Sequence, residues 1–326
     1  TNVLPSGADW DEAQQRLDAI QAKMAVAGST GLAKIDLTAS LKPTYRTNKQ
    51  DFLDAVVTSK KHIVAGDVFQ VVISQRFDVP NEADPIDVYR VLRSLNPSPY
   101  MYLLCHENAN GQPLHVVGSS PEALVKVQSG RVYTKPIAGS RPRGETPESD
   151  IALGEDLLND QKERAEHLML VDLARNDLLR VCTAGSVEVT EFMKIERFSH
   201  IMHIVSSVEG NLAGSKDAVD VFRATFPAGT LSGAPKPRAL EIIDDLEPAA
   251  RGVYGGVVGY FAFSGDADLA IAIRTAVLTP GTASVQAGAG LVADSDPETE
   301  YQETVNKSAA PLRAIAVANA LHRIDN

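Results

Sequence analysis

Two pairs of glutamates frame the chemistry this chain could do. Glu163 and Glu166 lie in KERAEH, and Glu300 and Glu303 lie in ETEYQET. Each pair is spaced i, i+3, which on a helix puts both carboxylates on one face. Two such faces meeting would gather oxygen ligands of the kind a hard cation such as Mg²⁺ takes. Glutamate pairs are also common on solvated helix faces, and spacing alone leaves both readings open. His200 and His203 share the same spacing in SHIMHIV, but that segment reads as a strand. In a strand the two rings point to opposite faces, so at most one can enter a given cleft. The pattern is not HExxH, which argues against zinc.

Arg274 sits within the apolar run AIAIRTAV, read as strand interior. A buried arginine needs an anion. An internal salt bridge and a ligand carboxylate would both satisfy it. The stretch PAGTLSGAPK is a small-residue loop running into a helix, where backbone N–H groups can approach an anion. It lacks the GK[ST] ending of a Walker A loop. The run Gly288-Ala289-Gly290-Leu291 imitates a dinucleotide fingerprint, but the strand continues and no helix opens there, which argues against NAD. The PIAGSRPRG turn reads as a loop with a solvated basic edge.

These residues need elements to hold them. An amphipathic helix is expected at 8–27, a mixed connection at 28–47, and a helix at about 48–65. A buried strand follows at 68–73, then a helix at 85–95 that stops before Pro97. Strands are expected at 100–105, 114–118, 122–128 and 131–137. One helical segment covers 150–180, with Asp150 as its N-cap. Strands at 186–198 and 201–209 precede helices at 216–224 and 236–245. Three strands fill 253–293, and a helix runs over 298–322. Strand runs mixed with helices, without strict βαβ alternation, give an α+β fold of large, mostly antiparallel sheets with helices packed outside. Residues 1–47 read as an N-terminal helix and linker, and 48–326 as one catalytic domain.

Composition narrows the partners. The 326 residues carry a formal net charge of −11, with no basic run longer than Lys60-Lys61. That argues against nucleic acid, and means that an anionic substrate must be held by local cations rather than by the bulk field. No apolar run reaches membrane-spanning length. Cys105 and Cys182 form no CxxC pair and read as core or half-buried thiols, fitting a reducing cytoplasm. The chain starts at Thr1, as a processed protein or a fragment would.

Across roughly 48–320, the strings GDVFQVVISQRF, NPSPYMYLL, GSSPEALV, PIAGSRPRG, KERAEHLMLVDLARNDL, FPAGTLSGAPKPRALEII, GVYGGVVGYF, AIAIRTAV and AGAGLVADSDPETEYQET occur in the order found in the chorismate-utilising enzymes. The chain closely resembles that family. Within it, isochorismate and salicylate synthases carry a lysine base where Gln70 stands, and aminodeoxychorismate synthases a nucleophilic lysine where Ala138 stands. Gln70 with Ala138 resembles the anthranilate synthase large subunits, whose nucleophile is ammonia; 2-amino-2-deoxyisochorismate synthases share the pairing.

The resemblance implies a lyase in tryptophan biosynthesis, with ammonia delivered by a glutamine amidotransferase subunit in a hetero-oligomer. It implies Mg²⁺ among Glu163, Glu166, Glu300 and Glu303, against the ring carboxylate of chorismate. Arg274 and Tyr254, with the backbone at Gly288, Ala289 and Gly290, would hold the pyruvyl carboxylate. Thr230 and Lys307 would position substrate. Glu122 would be the general acid, and His203 would assist loss of the C2 proton. Asn96, Pro99, Tyr100 and Met101 resemble half of a tryptophan feedback pocket. The other half is a Leu-Leu-Glu-Ser motif that this sequence lacks, so a truncated chain without feedback control is expected.

Overall fold

The computed structural model describes residues 9–26, 32–198 and 201–324. Contacts group the chain into two units, 1–36 with 320–326, and 37–319. In the first, the helix Trp10–Ala25 is capped by Asp9, whose carboxylate accepts from the Glu12 N–H. The strand Leu32–Lys34 pairs antiparallel with His322–Ile324.

The second unit is built on two seven-stranded sheets. One runs in the order Gly233–Ala234, Gln70–Asn81, Gly281–Leu291, Thr275–Thr279, Pro113–Ser120, Tyr100–Glu107, with Thr44–Tyr45 also paired to Gln70–Asn81. The other runs Val257–Phe261, Ala267–Ile271, Ala123–Gln128, Arg131–Thr134, Ile201–Asn211, Ile137–Pro142, with Glu188–Arg197 paired to Ile201–Asn211. Neighbouring strands are antiparallel throughout both sheets. This is the expected α+β architecture.

Helices cover the sheets and close the cores. Phe52 and Val56 of the helix Lys49–Val64 meet Ile242 of the helix Lys236–Leu246 over Val71, Ile73, Ala289 and Leu291. On the second sheet, Val171 and Leu178 of the helix Gln161–Leu179 pack with Val221 of the helix Ala218–Thr225 against Val125, Val132 and Ile271. Full burial of each large apolar side chain contributes about 1.5–3 kcal/mol.

Several local expectations are corrected. The 150–180 segment is two helices, Pro147–Asn159 and Gln161–Leu179. Asp160 ends the first and caps the second, accepting from the N–H groups of Lys162 and Glu163. The N-cap of the first helix is Thr146, in a reciprocal capping box with Ser149. Asp150 lies inside that helix, where Arg143 and Arg197 pair with its carboxylate at 2.6 and 2.8 Å. Hydrogen bonds from Arg143 hold its pKa far below the usual range. The strand foreseen at 68–73 runs over Gln70–Asn81, because it is paired along its length with Gly281–Leu291. The run LAIAIRTAVL breaks at Arg274, whose φ of 51° is incompatible with a strand, leaving Ala267–Ile271 in one sheet and Thr275–Thr279 in the other. The PAGTLSGAPK loop contains a short helix, Gly229–Ser232, followed by the strand Gly233–Ala234. Cys182 is buried, whereas Cys105 is exposed on its strand.

Candidate active site

The two glutamate pairs stand on the helices Gln161–Leu179 and Pro297–Asn319. Glu166 feels the charge of Glu303, so the two helices bring their acidic faces together. Burial raises the pKa values of Glu163, Glu166 and Glu300, with a like-charged neighbour adding to each. Gln70, at the start of its strand, donates from Nε2 to Glu166 Oε1 at 2.9 Å. Lys307 forms an ion pair with Glu303 one turn away.

Whether a cation fits can be judged from the donors. The set is all oxygen, which suits a hard ion. Glu300 Oε2 is buried without a hydrogen-bond partner among the described residues. A buried carboxylate oxygen left unpaired is costly, and a divalent cation would relieve it. No three His, Cys, Asp or Glu side chains among the described residues already form a cage. Lys307 and Gln70 occupy two of the carboxylates instead. Oxygen donors of this kind suit a hard cation only once these contacts are displaced.

Lys307 links this acidic face to the next group. Its Nζ donates to Gly288 O at 3.1 Å, and its own carbonyl accepts from Arg274 Nη1. No carboxylate among the described residues lies within ion-pair distance of Arg274, so the internal salt bridge is not its partner. Burial lowers its pKa, while Tyr254 and Glu303 act against that shift. Tyr254 lies beside it with a pKa raised strongly by burial. The Tyr254 hydroxyl closes on the strand at Gly288, where an added Cβ would lie only 2.7 Å from it. Gly288 is therefore glycine for close approach. Ala289 points into the core and Gly290 abuts Gln70, whose Nε2 would be 2.8 Å from an added Cβ.

Glu122 precedes the strand Ala123–Gln128. Thr230 Oγ1, from the short helix, donates to Glu122 Oε1 at 3.0 Å. A cavity beside it is walled by Leu170, Leu173 and Ala228, with Asp177 and Lys135 also lining it. Burial pushes the Glu122 carboxyl up to about 7, against the Thr230 hydrogen bond and the charge of Lys307.

His203 is on the strand Ile201–Asn211, opposite Ser140 at a register shift. Its Nδ1 lies 2.9 Å from Gly139 O. A carbonyl only accepts, so Nδ1 carries the proton and Nε2 keeps its lone pair. Burial lowers the His203 pKa, which keeps the ring neutral near pH 7. Arg274 also acts on its titration, placing the ring near the same group. Ala138 pairs with Ile204 beside this bulge and offers no amine. His200 lies outside the described residues.

Asn96, Pro99, Tyr100 and Met101 lie where the helix Pro85–Leu95 runs into the strand Tyr100–Glu107, with Tyr100 and Met101 in register with Ser120 and Ser119. The Asn96 carbonyl accepts from Ser119 Oγ, and the Tyr100 hydroxyl donates to Asp268 at 2.9 Å.

Sequence reasoning missed Glu247 and Arg251, an ion pair at 2.6 Å packed beneath Tyr254. It also missed Arg141, which contacts Asp156, Asp160 and Glu163 at 2.8, 2.9 and 3.6 Å. Neither gives a strong sequence signal. An Arg four residues from a Glu reads as a surface pair, and SRPRG reads as a basic turn.

Residues 6–313 match the family model for chorismate binding enzymes. Anthranilate synthase component 1 of Arthrobacter globiformis is 62% identical over 90% of this chain and 55% of its own length. That of Aquifex aeolicus is 53% identical over 95% of this chain and 62% of its own. The chain thus spans little more than half the length of these relatives. The crystal structure of anthranilate synthase component I from Streptococcus pneumoniae TIGR4 superposes with a TM-score of 0.84 at 42% identity, over 95% of this chain and 68% of that one.

Proposed function

The chain belongs to the chorismate binding enzymes, and from that premise we propose that it converts chorismate and ammonia to anthranilate and pyruvate. Glu122 carries this reading. It is a carboxyl held up at about 7 beside Thr230, within electrostatic reach of Tyr254 and Lys307.

Chorismate presents two carboxylates and a hydroxyl leaving group. Arg274, Tyr254 and the backbone at Gly288, Ala289 and Gly290 receive the pyruvyl carboxylate. Arg274 is buried without an ion-pair partner among the described residues, so a carboxylate ligand would offset its desolvation. Mg²⁺, held by Glu163, Glu166, Glu300 and Glu303, would supply positive charge for the ring carboxylate. Lys307, already between Glu303 and Gly288 O, helps seat the ligand.

Ammonia adds at C2 as the C4–O bond breaks, and Glu122 gives its proton to the departing hydroxyl, forming water. Hydroxide leaves poorly, and a placed acid contributes about 10²–10⁴ in rate. His203, neutral with Nε2 free, takes the C2 proton as pyruvate departs and the ring becomes aromatic. Gln70 carries no base to activate water, and Ala138 no amine to attack the ring, which supports free ammonia as nucleophile. In the full assembly, a glutamine amidotransferase subunit would deliver it. No helix among the described residues is long and apolar enough to cross a membrane.

Purified chain given chorismate, ammonium and Mg²⁺ is expected to release fluorescent anthranilate and equimolar pyruvate. Accumulation of isochorismate, or of an amino-diene without pyruvate, would reject the assignment.

A further inference from the structure

Arg251 follows the helix Lys236–Leu246 and turns its guanidinium inward. Nε donates to Glu247 Oε2 at 2.9 Å and Nη2 to Glu247 Oε1 at 2.6 Å. Nη2 also reaches Val72 O at 2.6 Å, and Nη1 reaches Leu231 O at 2.5 Å. Glu247 Oε1 also accepts from the N–H and hydroxyl of Ser74, both at 2.8 Å. The two side chains keep only 16% and 5% of their exposure.

A buried ion pair is weak evidence for stability, since an apolar pair of similar volume often does as well. The contacts of this one suggest a different use. The guanidinium lies over the Tyr254 ring, 5.5 Å from its centroid. Ser74 stands in register with Gly288, the residue the Tyr254 hydroxyl approaches. Leu231 directly follows Thr230, which holds Glu122. One side chain therefore touches the ring of Tyr254, the strand facing Gly288 and the turn bearing Thr230.

We propose that Arg251, oriented by Glu247, is a positioning residue that sets the Tyr254 hydroxyl and the Thr230 turn for an anionic substrate. It touches no reacting atom. This rests on the reading of Tyr254 as a carboxylate-binding group. Lysine can keep the charge pair but cannot form the planar fork to Glu247, Val72 and Leu231 or stack on the ring.

The test is a mutant cycle of R251K and Y254F, read by chorismate KM and kcat, with circular dichroism reporting the fold. R251K is expected to raise chorismate KM by about tenfold, with a smaller change in kcat and an unaltered spectrum. On the Y254F background the same change is expected to add less than about twofold, because coupled groups are non-additive. Equal effects of R251K in both backgrounds, or a KM within about twofold of the parent chain, would overturn the proposal. If R251K loses its fold, E247Q takes its place in the cycle under the same criteria. Failure of the parent chain to bind or turn over chorismate would instead defeat the functional reading.

Discussion

Glu122 is the residue whose environment has the sharpest kinetic consequence. Its carboxyl titrates at about 7 because burial disfavours the anion. Only the protonated form can donate. At a fixed concentration of free ammonia, turnover is expected to fall as pH rises through about 7, with Glu122→Gln removing that limb and lowering kcat by about 10²–10⁴. A pH–rate profile unchanged in shape by the substitution would exclude Glu122 as the acid. Gly288 offers a steric counterpart. A methyl there meets the Tyr254 hydroxyl at 2.7 Å and Ile73 O at 3.0 Å. Gly288→Ala is expected to weaken chorismate binding by calorimetry far more than it lowers the unfolding midpoint; equal binding would detach Tyr254 from the substrate. At this scale the sequence was only partly legible. A lone Glu after Pro121 carries no chemical signal by itself, and its role came through the GSSPEALV resemblance. Arg274 was recognised as needing an anion, but its left-handed backbone, which places it between the sheets, leaves no mark in an apolar run.

The helix Gln161–Leu179 presents Glu163 and Glu166 to the site and anchors itself with the next residue. His167 is fully buried, its Nε2 2.6 Å from Ser206 Oγ on the strand that also carries His203. Burial lowers its pKa from 6.5 to about 4. Between those values the unfolded chain binds more protons than the folded one, so stability falls as pH drops. The loss is at most about 1.4 kcal/mol per pH unit. Denaturant midpoints of the parent chain and His167→Gln are expected to converge as pH falls from 6.5 to 4; a constant gap would contradict this. The periodicity made the helix readable, but not its boundary. Asp160 looks like one more polar residue in a helical run, and only its capping of Lys162 and Glu163 makes it a break. The same holds for Gly233–Ala234, too short for any pattern to reveal. There Gly233, with φ 130°, lies so close to Gln70 O that a side chain at this position would collide with it. Alternation and turn residues gave most strands, while pairing partners and sheet order lie in long-range contacts that no local pattern encodes.

For the molecule as a whole, the difficulty is charge. On the proposed function, a chain of net charge −11 would hold a dianion, and the groups gathered at its site include more carboxylates than cations. Lys307 now bridges Glu303 and Gly288 O, and Glu300 keeps a buried oxygen without a partner among the described residues. Both features are met if a divalent ion and the substrate enter together, each offsetting the cost of burying the other. The i, i+3 spacing put each glutamate pair on one helix face and left open whether the two faces meet, and the Lys307 and Gln70 contacts that now occupy them needed the folded chain. Calorimetric titration of chorismate into the purified chain, with Mg²⁺ and then with excess chelator, tests this most directly. Saturable binding that weakens at least about tenfold on Mg²⁺ removal, and loses that dependence in Glu300→Gln, is the predicted result. Chorismate affinity that is the same with and without Mg²⁺ would contradict it.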